Sequence, residues 1–215
     1  MVVGTKEDFE RLAQFILDDY LSARTTREMY NPIDIKDFAI NYLHMNVRYE
    51  CFAPESGIAG MRVGQEIILD EALLEKGKEG IHNFTLAHEC GHELVNWQDE
   101  SYQPKDVVNY RDAKSRKRKR LETEEDFREW QANVVAAYLL MPPLLMGWCF
   151  YTFARMEKIK IYGDYYMTKN DRSIVNGMKD YLKVSKEALL IRLEQLNMLE
   201  YRPIDEYYDN PFLFR

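Results

Sequence analysis

The chain has 215 residues and 25.6 kDa, of which 46% are hydrophobic, enough for one compact core with at most a small appendage, so global disorder is excluded. Lys and Arg number 29 against 36 Asp and Glu, and the net charge of −7 argues against general nucleic-acid binding. Cys51, Cys90 and Cys149 form no CxxC pair, which excludes a disulfide framework and a cysteine zinc ribbon and fits a reducing cytoplasm.

The opening MVVGTKEDFERLAQF has no apolar stretch after a basic start, so no export signal is expected. Thr5 and Asp8 form a capping-box-like start to an amphipathic helix whose apolar stripe is Phe9, Leu12, Ala13, Ile16, Leu17 and Tyr20. Asn31-Pro32 punctuates, and Ile35, Phe38, Ala39, Tyr42 and Leu43 repeat the helical spacing. The period then shortens: 47–52, 58–63 and 66–69 are β-leaning runs, read as a small antiparallel sheet with a tight turn at Val63-Gly64-Gln65. Asp70 can cap a helix starting just after it. A helix is expected from Ile81 to about Trp97, with a break at Gln103-Pro104.

Residues 111–120 hold seven bases against one acid and 121–129 five acids against one base, a solvated loop or helix end by composition. A long helix is expected from about Glu122 to Met141, then helical segments over 143–158, 171–183 and 186–199, with a break at Gly163-Asp164 and Ser185 as an N-cap. Positions 134–154 carry no charge, long enough for a bilayer span. A Pro142-Pro143 pair in a helix interior would cost about 3 kcal/mol or more per proline, so two buried helices meeting at a break, and no membrane span, are expected.

Of four histidines, His44, His82, His88 and His92, two lie in His88-Glu89-Cys90-Gly91-His92. Side chains four apart share one helix face, so both imidazoles can converge on one ion, the HExxH arrangement. Glu89, rotated to the side, is suited to deprotonate a metal-bound water, and Cys90 belongs to the core. A catalytic zinc site takes three protein ligands. Glu129 on the next long helix can be the third, and Asn133, four residues on, can accept the other ring N–H of a ligating histidine and fix its tautomer.

Together these residues resemble the ImmA/IrrE family of zinc metallopeptidases, whose pattern is roughly FTLAHELGH followed by an ExxAN…AAxLLMP helix. Phe84 to His92 and Glu129 to Pro142 stand in those places; IAGMRVGQEIIL before the motif resembles the family hairpin, and VSKEALLIRL from Val184 its C-terminal helix. Cys90 replaces the usual Leu and Val135 the usual Phe, both apolar packing positions. The resemblance implies an α+β fold: a mostly helical single domain with a small antiparallel sheet, a gluzincin-like HExxH helix, a metallopeptidase-like core over 1–158 and a C-terminal helical extension over 159–215. It implies Zn2+ on His88, His92 and Glu129, Glu89 as general base, and a helix-turn-helix transcriptional repressor, often one controlling a mobile element, as the protein substrate.

Two alternatives from other classes stand beside it. One is a DNA-binding or repressor-interaction module built on the basic run and the 184–196 helix, although Leu189, Leu190, Leu193 and Leu196 make most of that helix core-like. The other is a metal-binding pseudo-enzyme that sequesters a repressor without proteolysis.

Overall fold

A computed structural model describes residues 4–22, 30–96 and 122–207. The basic run 111–120, the Gln103-Pro104 break and Trp97 lie outside these residues. Helix α1 (Lys6–Leu21) starts with the expected capping box: Thr5 Oγ1 accepts from Asp8 N–H and Asp8 accepts from Thr5 N–H at 2.8 Å. Such a cap stabilises a helix by about 1 kcal/mol. Helix α2 (Ile35–Asp37) runs into a π-helical turn, Phe38–Tyr42, ended by His44 in the left-handed region.

The three strands β1 (Asn46–Glu50), β2 (Gly60–Val63) and β3 (Glu66–Asp70) form a sheet of order β1-β3-β2. It is mixed rather than antiparallel, which corrects the sequence reading. β2 and β3 form the expected hairpin, with φ of +59° at Gly64, but β1 pairs parallel to β3, Val47 opposite Ile67 and Tyr49 opposite Leu69. Composition explains the order. β3 buries Ile67, Ile68 and Leu69 in a row, as a central strand does, whereas β1 alternates exposed and half-buried positions, as an edge does. The connection over 51–59 therefore carries the chain to the opposite edge, and β3 returns between the two.

Asp70 caps a 3-10 turn, Glu71–Leu74, and α3 (Glu79–Asn96) comes next. α4 (Glu124–Leu140) begins with a second capping box, Thr123 with Asp126. α5 (Pro143–Ala154) starts where expected, at Pro143, and the two helices bend by 52° at the break. No single helix among the described residues is long and apolar enough to cross a membrane; α4 and α5 reach that length only as this bent pair. Their inner faces, from Val135 and Leu139 to Met146 and Cys149, are buried in the core.

The C-terminal part departs from a purely helical extension. β4 (Ile159–Tyr162) precedes α6 (Lys169–Leu182) and α7 (Lys186–Gln195), and β5 (Leu199–Arg202) returns to pair parallel with β4. The two expected helices thus stop short, at Ala154 and Gln195, where Arg155 and Asn197 take left-handed conformations that turn the chain into a strand. Ser185 caps α7, accepting from Ala188 N–H at 3.1 Å. One hydrophobic core runs from Phe9 through Leu86, Leu139 and Met146 to Leu189 and Leu199, so the chain is a mostly helical α+β domain.

Candidate metal centre

Helix α3 is the most enclosed element of the fold: every residue from Thr85 to His92 is buried, between the sheet on one side and α4 on another. Leu86, Ala87, Cys90 and Leu94 fill the core, as expected for Cys90, whose thiol pKa is pushed well up by burial and by the neighbouring Glu89 and Glu93 charges. His88, Glu89 and His92 occupy the rest of the circumference.

Gly91 decides how near α4 can come. A β-carbon at that position would lie 2.7 Å from the Ala132 carbonyl oxygen and 3.1 Å from its Cα, so the two backbones meet where only glycine fits. Trp130, edge-on to Phe9 at 5.9 Å, fixes the opposite side of α4 against α1. Glu129 then projects at α3, and its two carboxylate oxygens face the two imidazoles: His88 Nε2 is 3.1 Å from Oε2 and His92 Nε2 is 3.1 Å from Oε1. The two Nε2 atoms are 3.0 Å apart. Donor atoms of His88, His92 and Glu129 all lie within 4.8 Å of one another, the one such group among the described residues.

This donor set fits a divalent cation. Separations of 3.0–3.1 Å approach the ~3.3 Å edge of a tetrahedron with ligand bonds of about 2.0–2.1 Å, and two imidazole nitrogens plus a carboxylate are a familiar zinc set. Two ring nitrogens with lone pairs aimed at each other repel unless a proton or a metal lies between them. Burial pushes the Glu129 carboxyl up, but hydrogen bonds from His88 and His92 and their charge outweigh it and bring its pKa down to about 2. A cation in the same place would favour the ionised carboxylate in the same sense.

The support behind the ligands is also present. His88 Nδ1 lies 3.2 Å from Asn133 Oδ1, and Asn133 Nδ2 donates to the Glu129 carbonyl at 2.8 Å. A cation on Nε2 would leave Nδ1 as the protonated nitrogen of His88, donating to Asn133 Oδ1. Glu89 is fully buried on the face turned to β2, its carboxylate beside Gly60: a β-carbon there would lie 3.6 Å from Glu89 Oε1 and 2.7 Å from Thr85 Cγ2.

The other two histidines stand apart from this group. His44 is an exposed terminator, and His82 stacks on Tyr49, its Nε2 2.9 Å from the Tyr49 hydroxyl. A groove of about 480 Å³ at the first turn of α3, lined by Gly80, Lys183 and Lys186 among others, carries both charge signs and holds none of the donor residues. Sequence reasoning missed a further pair: Arg62 of β2, 6% exposed, forms an ion pair with Glu93 and donates to the Gly64 carbonyl at 3.3 Å. The signal was the β2 alternation, which turns Gly60 and Arg62 to one face. Compared with known proteins, the chain matches no family model and no curated protein.

Proposed function

We propose that the chain is a zinc-dependent endopeptidase of the ImmA/IrrE type. The observation that carries this reading is the convergence of His88, His92 and Glu129 from two helices, their donor atoms within 4.8 Å of one another, with Asn133 Oδ1 3.2 Å from His88 Nδ1 and a buried carboxylate, Glu89, one residue from His88. His88, His92 and Glu129 would hold the metal. Zinc, when bound, lowers the pKa of water toward 7 and polarises a carbonyl. Glu89 takes the proton of the attacking water on its carboxylate and delivers it to the amide nitrogen as the peptide bond breaks. Its burial among Gly60, Thr85 and α3 keeps that carboxylate from being levelled by bulk solvent.

For the substrate we keep a helix-turn-helix repressor, a proposal resting on the resemblance of Phe84–His92 and Glu129–Pro142 to the family pattern, and the cytoplasm as the compartment. The rival reading of α7 as a DNA-reading helix is disfavoured by Arg192, its central base, which is 1% exposed and bound to the Met141 carbonyl and Glu10. Metal analysis tests the centre: about one zinc per chain is expected, lost on His92→Ala, and metal-free protein with unchanged His92→Ala behaviour would sink the reading. Co-expression with the helix-turn-helix protein encoded nearest in the genome tests the activity. Glu89→Gln should keep metal and lose the cut; a Glu89→Gln protein that cuts equally well would remove Glu89 as the base.

A further inference from the structure

β1 lies at one edge of the three-stranded sheet. The Asn46 N–H donates to the Gln65 carbonyl at 2.8 Å. In a parallel pair a residue turns both backbone groups to one side and its neighbours turn theirs to the other. With Asn46 opposite Glu66, Arg48 opposite Ile68 and Glu50 opposite Asp70, these three residues bind β3, and Val47 and Tyr49 turn their N–H and C=O groups outward. Among the described residues nothing pairs with those outward groups. Such a row is a template for another strand. The strand, NVRYE, contains no proline, its ladder with β3 is unbroken by a bulge, and its two charges are of opposite sign.

Those charges select the partner. Arg48 and Glu50 share the exposed face of β1, with side chains 43% and 48% exposed, and within one chain Arg48 pairs with both Glu50 and Glu66. Exposed pairs of this kind hold weakly and exchange readily. Two antiparallel copies of β1 related by a two-fold axis at Tyr49 set Arg48 of each copy opposite Glu50 of the other, and Val47 opposite the exposed Cys51. Moving the axis to Arg48 sets arginine against arginine, and like charges directly opposite are destabilising. We propose that β1 is an interface between two copies of this chain, paired antiparallel in the register that opposes Arg48 to Glu50, which joins two three-stranded sheets into one. A pairing of five-residue strands is smaller than the ~800 Å² per partner of a standard interface, so the dimer is reversible.

Sedimentation equilibrium of the full chain over a concentration series should give a mass rising from 25.6 kDa toward twice that value. Arg48→Glu and Glu50→Arg each set like charges opposite one another in this register, so each alone should weaken association about tenfold. Mixed in equal amounts, the two variants should associate at about the wild-type strength, because every opposed pair is then acid against base. Mixing would not cure a defect in folding, which circular dichroism checks separately. If a variant fails to fold, amide hydrogen exchange on the wild type reads the same edge: higher concentration should slow exchange at Val47 and Tyr49 and leave Asn46, Arg48 and Glu50, already bonded to β3, unchanged. A chain that stays at 25.6 kDa throughout overturns the proposal and leaves the edge to a strand of another protein. A dimer that both charge reversals leave intact, folded variants that do not associate when mixed, or exchange that slows at neither Val47 nor Tyr49 overturns it equally.

Discussion

Gly91→Ala replaces one hydrogen with a methyl group at the point where α3 touches α4. The new carbon would lie 2.7 Å from the Ala132 carbonyl oxygen, 3.1 Å from its Cα and 3.2 Å from its carbonyl carbon. All three are backbone atoms, so no rotamer change relieves the contact and one helix must move. Restoring a contact of 3.4 Å takes about 0.7 Å of separation, an overpacking that costs about 1–3 kcal/mol of stability. That movement exceeds the roughly 0.5 Å within which a ligand set must be held, and Glu129 travels with Ala132 on the same helix. Weaker zinc binding is therefore expected, by at least about tenfold, equivalent to ~1.4 kcal/mol. Urea unfolding of the apoprotein measures the first effect and competition against a chromophoric chelator the second. Ala132→Gly should not rescue either, because the collision is with the main chain. Wild-type affinity in a folded Gly91→Ala protein would refute the claim that this contact sets the ligand distance.

Three further outcomes are expected from the same geometry. Asn133→Ala removes the acceptor behind His88 and should lower zinc affinity about 10–100-fold with little loss of stability, since the side chain is exposed; unchanged affinity in a chelator competition would deny it the tautomer role. In Glu10, partial burial pushes the carboxyl up, but the hydrogen bond and charge of Arg192 outweigh it, and the group titrates below its ordinary value. The folded pKa lies below the unfolded one, so this stabilisation is complete above about pH 4.3 and is lost as pH falls through the folded value. The gap in urea midpoint between wild type and Glu10→Gln should accordingly narrow below about pH 4; a constant gap would contradict the pairing. Of the three thiols, only Cys51 should react quickly with Ellman's reagent under native conditions, because Cys90 and Cys149 are buried and burial raises the Cys149 pKa to about 12; fast labelling of either would contradict the core.

Legibility from the sequence varied with the range of the interaction. Thr5, Asp70, Ser185 and the Pro142-Pro143 break act within a turn of themselves, and each stands where the residue pattern placed it. The His88–His92 pairing was readable because helical spacing alone sets it, and Glu129 because it stands four residues before Asn133 on the next long helix, in a pattern that resembles the family's. The direction of β1 was not readable: alternation marks a strand but not its neighbour, and the parallel pairing results from competition among three strands for the central place. β4 and β5 are four residues each, adjoin helices, and pair across 36 intervening residues, so their apolar positions read as continuations of helical stripes. Arg62 read as a polar position on a hairpin because its partner lies 31 residues away on a helix.

Those long-range contacts also decide what holds the donor group together. α3 and α4 carry the three donors along their lengths and are fastened elsewhere by the C-terminal elements. At the first turn of α3, a β-carbon on Gly80 would lie 2.6 Å from the Val184 carbonyl oxygen, so the α6–α7 turn rests directly on the helix, and Asn83 donates to the Lys183 carbonyl at 3.1 Å. At the end of α4, Arg192 Nε donates to the Met141 carbonyl at 3.0 Å, Nη1 pairs with Glu10 of α1 at 2.7 Å, and the guanidinium lies over the Tyr138 ring. A buried arginine costs several kcal/mol to desolvate, which bonds to the end of α4 and to α1 offset. The cost is comprehensible if what it secures is the position of α4, because Glu129, about three turns before the Arg192 bond at Met141, is the one donor that the HExxH helix does not itself supply. Residues 159–207 thus act on the donor group without contributing to it, by bracing the two helices against each other at their far ends.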